Sequence, residues 1–190
     1  MRRAVLAMLV CLGLGAPAMA QAPTVWRDYA YPEMGFLIQF PVAPSVSTGT
    51  WPAPGGRTVP ATVYAARERG ATYKVTVADF SASSEDRAAI MSAAAAAAGQ
   101  GGEIKLNLEA HVDLQFGRQL SIAAKDGGYG DVAVFMLGRR LFVVEGRALP
   151  PNADERTDRI VRFVETLSFP NQPPGPLPAS VQAQFTVEAP

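Results

Sequence analysis

Sulfur and imidazole are nearly missing from this chain. Its 190 residues include one cysteine, Cys11, and one histidine, His111. Cys11 lies inside an N-terminal export signal, so the exported chain keeps no disulfide, no thiolate nucleophile and no cysteine metal site. One histidine excludes multi-histidine metal centres, and no serine stands in a nucleophile-elbow context. Lysine is scarce too: Lys74, Lys105 and Lys125 are the only three. Charge of one sign is lacking, with 17 basic and 17 acidic residues. Loss of Arg2 and Arg3 with the signal leaves about −2, too neutral and evenly mixed for a nucleic-acid binder. No apolar run is long either. Ala4 to Leu14 falls well short of the ~20 residues a bilayer span requires.

What the first twenty residues do contain is a signal peptide. Arg2-Arg3 supply the positive start, Ala4 to Leu14 the apolar run, and Ala18-Met19-Ala20 the small-x-small cleavage site. Met8-Leu9-Val10 before Cys11 lacks the small residue of a lipidation site, and the arginine pair lacks twin-arginine flanks. Cleavage after Ala20 predicts a periplasmic or secreted protein with no stable membrane span. The remainder divides into one domain over 21–170 and a proline-rich mobile tail over 171–190. About 150 residues can bury roughly 70% of their surface, so the core suffices without staples.

The strongest local signal is a hairpin. Asp131 to Leu137 and Arg140 to Arg147 are apolar, β-branched runs around Gly138-Arg139, and glycine first suits a type II′ turn. That turn sets Phe135 opposite Phe142 and Val134 opposite Val143, so both faces need cover. The following segment, Ala153 to Leu167, reads as an amphipathic helix with Ile160, Phe163, Val164 and Leu167 inward. Asn152 is its expected cap with Glu155 as partner, and Glu155–Arg159 and Asp158–Arg162 are expected helix ion pairs.

Upstream, Val25 to Tyr29 and Phe36 to Phe40 read as short strands around a Pro32–Gly35 turn. Pro44 to Gly56, which carries Trp51, reads as a long surface loop. Val59–Arg67 and Ala71–Phe80 form a second hairpin across Glu68-Arg69-Gly70. A helix capped by Ser83 or Ser84 runs to Gly99, with Ile90, Met91, Ala94 and Ala98 as its stripe. From Ile104 to Phe116 apolar and polar residues alternate without a miss, which predicts one long strand, straight or bent once, with a wet face. The strands that follow should be consecutive in the sheet.

In order, Gly35-Phe36-Leu37-Ile38-Gln39-Phe40-Pro41 with Pro44, then Tyr73 to Phe80, a helix, Gly117-Arg118-Gln119, Arg140 to Val144 with Gly146, and the closing Leu167-Ser168-Phe169 resemble the PsbP-like group. That group is named for an accessory subunit of the photosynthetic oxygen-evolving complex. The resemblance covers roughly Trp26 to Phe169. It implies an α+β fold, a single antiparallel sheet sandwiched between helices, and a non-catalytic binding or assembly role. Metal chemistry ascribed to photosynthetic members finds no matching residues here.

Candidate chemistry is sparse. Glu109-x-His111-x-Asp113 would project from one strand face about 7 Å apart and could contribute ligands to Zn²⁺ or Mn²⁺. The wet face of an amphipathic strand explains the same pattern. Asp126 and Asp131, flanking Gly127-Gly128-Tyr129-Gly130, could share an acid–base site or loosely hold Ca²⁺, but the spacing lacks a calcium loop's rhythm and turn chemistry accounts for the glycines. Trp51 with Arg57 is the best partner-binding feature, since Trp and Arg are enriched at interface hot spots; Trp51 folded back as a lid over its own core is the favoured reading, exposed tryptophan being uncommon. Arg139-Arg140 at the hairpin tip could meet an acidic partner or lipid headgroups, but two arginines fall below the cluster size that argues for membrane binding, and a solvated turn is favoured. No cofactor is implied. The expectation is an accessory protein binding an envelope protein; the alternative is a small-ligand or divalent-metal binder using a sheet face, with a hydrolase a distant third.

Overall fold

The computed structural model describes residues 25–176. The expected signal peptide with Ala18 and Ala20, and the tail from 177 on, lie outside the described residues. Nine strands are present: β1 (Arg27–Tyr31), β2 (Phe36–Phe40), β3 (Ser45–Pro52), β4 (Thr58–Glu68), β5 (Ala71–Asp79), β6 (Gly102–Val112), β7 (Gln115–Ala124), β8 (Tyr129–Leu137) and β9 (Arg140–Ala148). Two α-helices join them, α1 (Arg87–Gly99) and α2 (Thr157–Glu165). β3 to β9 form a seven-stranded antiparallel sheet in the order β3-β4-β5-β9-β8-β7-β6. β1 and β2 pair separately, so the expected single sheet is in fact a large sheet and a small one.

The hairpin β8–β9 has the expected register, Phe135 opposite Phe142 and Val134 opposite Val143, with Gly138 at a φ of 58° in the turn. Alternation then sends neighbours to two different cores. Phe135, Phe142 and Val144 join Tyr73, Val75 and Val77 of β5, together with Ile160, Phe163 and Val164 of α2 and Phe36, Ile38 and Phe40 of β2. Val134, Met136, Leu141 and Val143 join Leu120 and Ile122 of β7 and Ile90, Ala94 and Ala95 of α1. The first core is rich in aromatic rings. Phe40 and Tyr73 both contact the ring of Phe163, and Phe169 packs edge-on against Phe135 and Phe142. Trp26 closes its rim beneath Arg162, whose guanidinium lies 4.9 Å from the indole centroid.

Three expectations fail, each for a physical reason. The long strand from Ile104 is a hairpin, β6–β7, turning at Asp113-Leu114 with φ of 46° and 64°. A two-residue turn reverses which face a given parity occupies, so the alternation runs through it unbroken while its apolar set changes sides. Asp113 tolerates such a turn, but Leu114 is not a usual turn former. Pro44–Gly56 is mostly not loop: β3 pairs with β4 over eight residues. It is an edge strand exposed along both faces and so lacks apolar period. The helix caps also shift. Asp86, not Ser83 or Ser84, caps α1 by accepting from the N–H groups of Ala88 and Ala89. The segment from Ala153 begins with a 3₁₀ turn over Asp154–Arg156, and Asn152 meets only the Glu155 side chain. Arg159 reaches out of the helix to grip Glu68 with two bonds of 2.8 Å rather than pairing with Glu155.

α2 approaches the sheet closely because position 146 has no side chain. A Cβ built on Gly146 would stand 2.7 Å from Ile160 Cβ and 2.8 Å from its carbonyl oxygen. Backbone cannot rotate aside, so Gly146→Ala should destabilise by about 2 kcal/mol, within the usual range for overpacking. A urea midpoint unchanged from the parent would show that α2 can shift freely.

Candidate functional site

The turn that joins β8 and β9 carries Arg139 and Arg140, and these diverge. Arg139 donates from Nε to Phe80 O (3.3 Å), from Nη1 to Glu85 O (3.0 Å) and from Nη2 to Ser83 O (2.6 Å). It clamps the backbone leading into α1. Arg57 joins the same segment from the other side through a 2.7 Å ion pair with the Glu85 carboxylate. Arg140 turns the opposite way and donates to Glu33 O at 2.9 Å, in the β1–β2 turn. Arg87, in the first turn of α1, donates to Met136 O at 2.9 Å, and burial draws its pKa down from the ordinary guanidinium value. Arg87, Arg139 and Arg140 line one open cleft of about 600 Å³, with Glu33 its single lining carboxylate among the described residues. Its far wall is residues 172–176, held by Gln115 Nε2 to Pro173 O (2.6 Å) and by Gly175 N–H to Leu114 O (2.9 Å).

Trp51 lies apart from these arginines. It is half-buried on β3, packs against the second core, and lines a separate cleft with Lys74, Glu145 and Arg147. The four partner-binding candidates are therefore split: Arg57 and Arg139 share the approach to α1, Arg140 borders the turn-end cleft beside Arg139, and Trp51 belongs elsewhere. Arg87 went unnoticed in the sequence, where a lone arginine in a first helical turn signals nothing. Lys74, Glu145 and Arg147 did carry a signal. Glu145 and Arg147 are charged residues at alternate positions of a mostly apolar run, and Lys74 shares its strand face with Thr72 and Thr76.

The metal triplet is not brought together. Glu109 and His111 lie on β6, opposite Arg118 and Phe116. Asp113 sits in the turn, where its Oδ2 accepts from Ser168 Oγ (2.8 Å) and from Phe169 N–H (2.7 Å), on the side of the aromatic core. The expected common face depended on a single strand, and the turn removes it. Among the described residues no three His, Cys, Asp or Glu side chains form a metal-binding group. Asp126 and Asp131 also part. Asp126 pairs with Arg147 at 2.6 Å. Asp131 is 1% exposed, and its carboxylate accepts from Gln119 Nε2 at 3.0 and 3.2 Å.

No family model and no curated protein matches the sequence. Solved structures do match. The solution structure of cyanobacterial PsbP (CyanoP) from Synechocystis sp. PCC 6803 superposes with a TM-score of 0.52. It covers 84% of this chain and 97% of its own, at 15% identity. The fold is PsbP-like. A second similar structure, of a Pseudomonas aeruginosa protein of unknown function (PA94) described as a putative regulator, has a TM-score of 0.42. It covers 80% of this chain and 99% of its own, at 12% identity. Within this PsbP-like fold the described residues include no helix long and apolar enough to cross a membrane.

Asp131 is the carboxylate whose proton affinity the fold changes most visibly. Burial pushes its pKa up to about 6, with Gln119 and the Val132 N–H pulling it down and nearby Glu165 adding to the rise. The folded state then holds a proton at pH values where the unfolded chain has lost it, so this group's contribution falls as pH climbs from about 4 to 6. Asp131→Asn keeps an acceptor for Gln119 and removes the titration. It should flatten the stability profile across that window and add on the order of 2 kcal/mol at pH 7. An identical pH profile in the variant would show that Asp131 ionises normally.

Proposed function

We propose that this protein is an exported, non-catalytic accessory factor of the cell envelope that holds a partner through an acidic segment. Its large sheet, helix-covered on both faces in the PsbP-like manner, serves as a rigid plate, and the turn-end cleft is the contact surface. The observation that carries this reading is the set of Arg87, Arg139 and Arg140 around one open cleft with Glu33 as its lone carboxylate. Each guanidinium is anchored on backbone carbonyls. Carbonyl anchoring fixes geometry while leaving the positive charge in place, so little side-chain entropy is lost when a carboxylate arrives. Export rests on the signal features of the first twenty residues. N-terminal sequencing of envelope-fractionated protein should begin at Gln21.

Arg139 also holds the entry to α1, so Arg140 and Arg87 are the residues to vary. An Asp/Glu-rich peptide should bind the parent saturably, more weakly as salt rises. Arg140→Ala with Arg87→Met should weaken that binding by about tenfold, the loss of on the order of 1.4 kcal/mol. Peptide binding that ignores both salt and these substitutions would remove the proposal.

A further inference from the structure

The face of the sheet under α1 is not filled along its whole length. A cleft of about 270 Å³ opens between α1, Trp51 and the sheet, and α1 lines it only with Ala94, Ala97 and Ala98. Ile122, Val132 and Val143 make an apolar floor. Charged groups gather at one side: Lys74 Nζ lies 2.7 Å from Glu145 Oε2, and Arg147 Nη2 lies 2.6 Å from Asp126 Oδ2.

Two details distinguish this cleft from a packing defect. The first is Gly130, the second residue of β8 and part of the floor. Its backbone is not left-handed, and a Cβ there would meet Ile122 Cβ at 3.8 Å and two carbonyl oxygens at 3.9 and 4.0 Å, ordinary contact distances. At Gly117, by contrast, a Cβ would fall 2.3 Å from Val134 O. Neither conformation nor crowding therefore calls for glycine at 130. Glycine inside a strand weakens it and is found where a ligand comes close to the backbone. The second is Arg147 Nε, a sealed donor with no acceptor. Lys74 is matched by Glu145 and Arg147 Nη2 by Asp126, so among the described residues Arg147 Nε is the donor left over at this site.

We infer that this cleft binds a small monocarboxylate with a flat or short apolar body. The body would lie on Ile122, Val132 and Val143 against Trp51 and the alanine wall, and the carboxylate would take donors from Arg147 and Lys74. The apolar lining with a few converging polar groups is the usual make-up of a small-ligand site. An unmatched buried donor is costly, so a ligand acceptor beside it gains more than its own hydrogen bond. The cleft sits at the Gly130–Arg147 end of the strands, away from the Gly138 turn, and does not depend on the acidic-partner reading.

Calorimetric titration of the full exported chain with octanoate, benzoate and octanol tests this. Octanoate or benzoate should saturate with a Kd below about 1 mM, and octanol should bind about tenfold more weakly for want of the carboxylate. Gly130→Val should fill the floor, weakening binding about tenfold or more while leaving the melting temperature equal or higher. Arg147→Met should weaken the acids by a similar factor and leave octanol alone. Should Gly130→Val fail to fold, Arg147→Met decides. No saturable binding by either acid, equal binding of octanol and octanoate, or acid binding untouched by Arg147→Met would each overturn the assignment.

Discussion

The pairing of Phe135 with Phe142 on one face and Val134 with Val143 on the other is what the rest of the structure answers to. Both strands are apolar on both sides, so the hairpin has no stable life at the edge of a sheet or against water. β5 and β7 flank it, and each face acquires its own core. A register slip by one residue would exchange the phenylalanines for the valines and mismatch both cores at once. Gly138, able to take a positive φ without strain, fixes that register from the turn. Burying one such phenylalanine contributes about 2–3 kcal/mol, so the penalty for a slip is a large part of total stability.

The two cores are built from different materials, and that difference separates structural from binding duty. The α2 side is packed with rings from β2, β5, β8, β9 and α2, closed further by Trp26 and the small sheet. Gly146 lets the helix come down until no room is left. The α1 side relies on a helix whose interior residues are mainly alanine. Alanine is the best helix former and the smallest packing residue with a Cβ, so α1 is stable in itself but thin. Wherever the sheet does not rise to meet it, space remains.

What could be read from the sequence follows from this. The β8–β9 and β4–β5 hairpins and the buried stripe of α2 were legible because turn glycines and apolar period agreed at each. β3 was hidden: an edge strand wet on both faces has no pattern to offer, and its prolines and glycines argue for loop. The Asp113-Leu114 turn was hidden more deeply. A leucine at φ 64° is not a residue that announces a turn, and the alternation passes straight through it. That one miss also misplaced the candidate site, since Glu109, His111 and Asp113 share a face only if no turn lies between Val112 and Gln115. The arginines at the β8–β9 tip were visible, but their divergence was not, because partners such as Ser83 O and Glu33 O are backbone atoms with no signature in sequence.

A sheet dry on both sides through its middle leaves chemistry only at the ends of its strands. That is where the polar groups are found. At one end Arg87, Arg139 and Arg140 stand around the turn, tied to carbonyls that fix their positions without cancelling their charge. At the other, Lys74, Glu145 and Arg147 occupy the α1-side positions of β5 and β9, the last places on those strands where a charged head can reach water while its stem lies over the core. The same alternation that sends Val143 inward under α1 puts Glu145 and Arg147 two and four residues further along the same face. The pattern that builds the core therefore also delivers the charges to its rim.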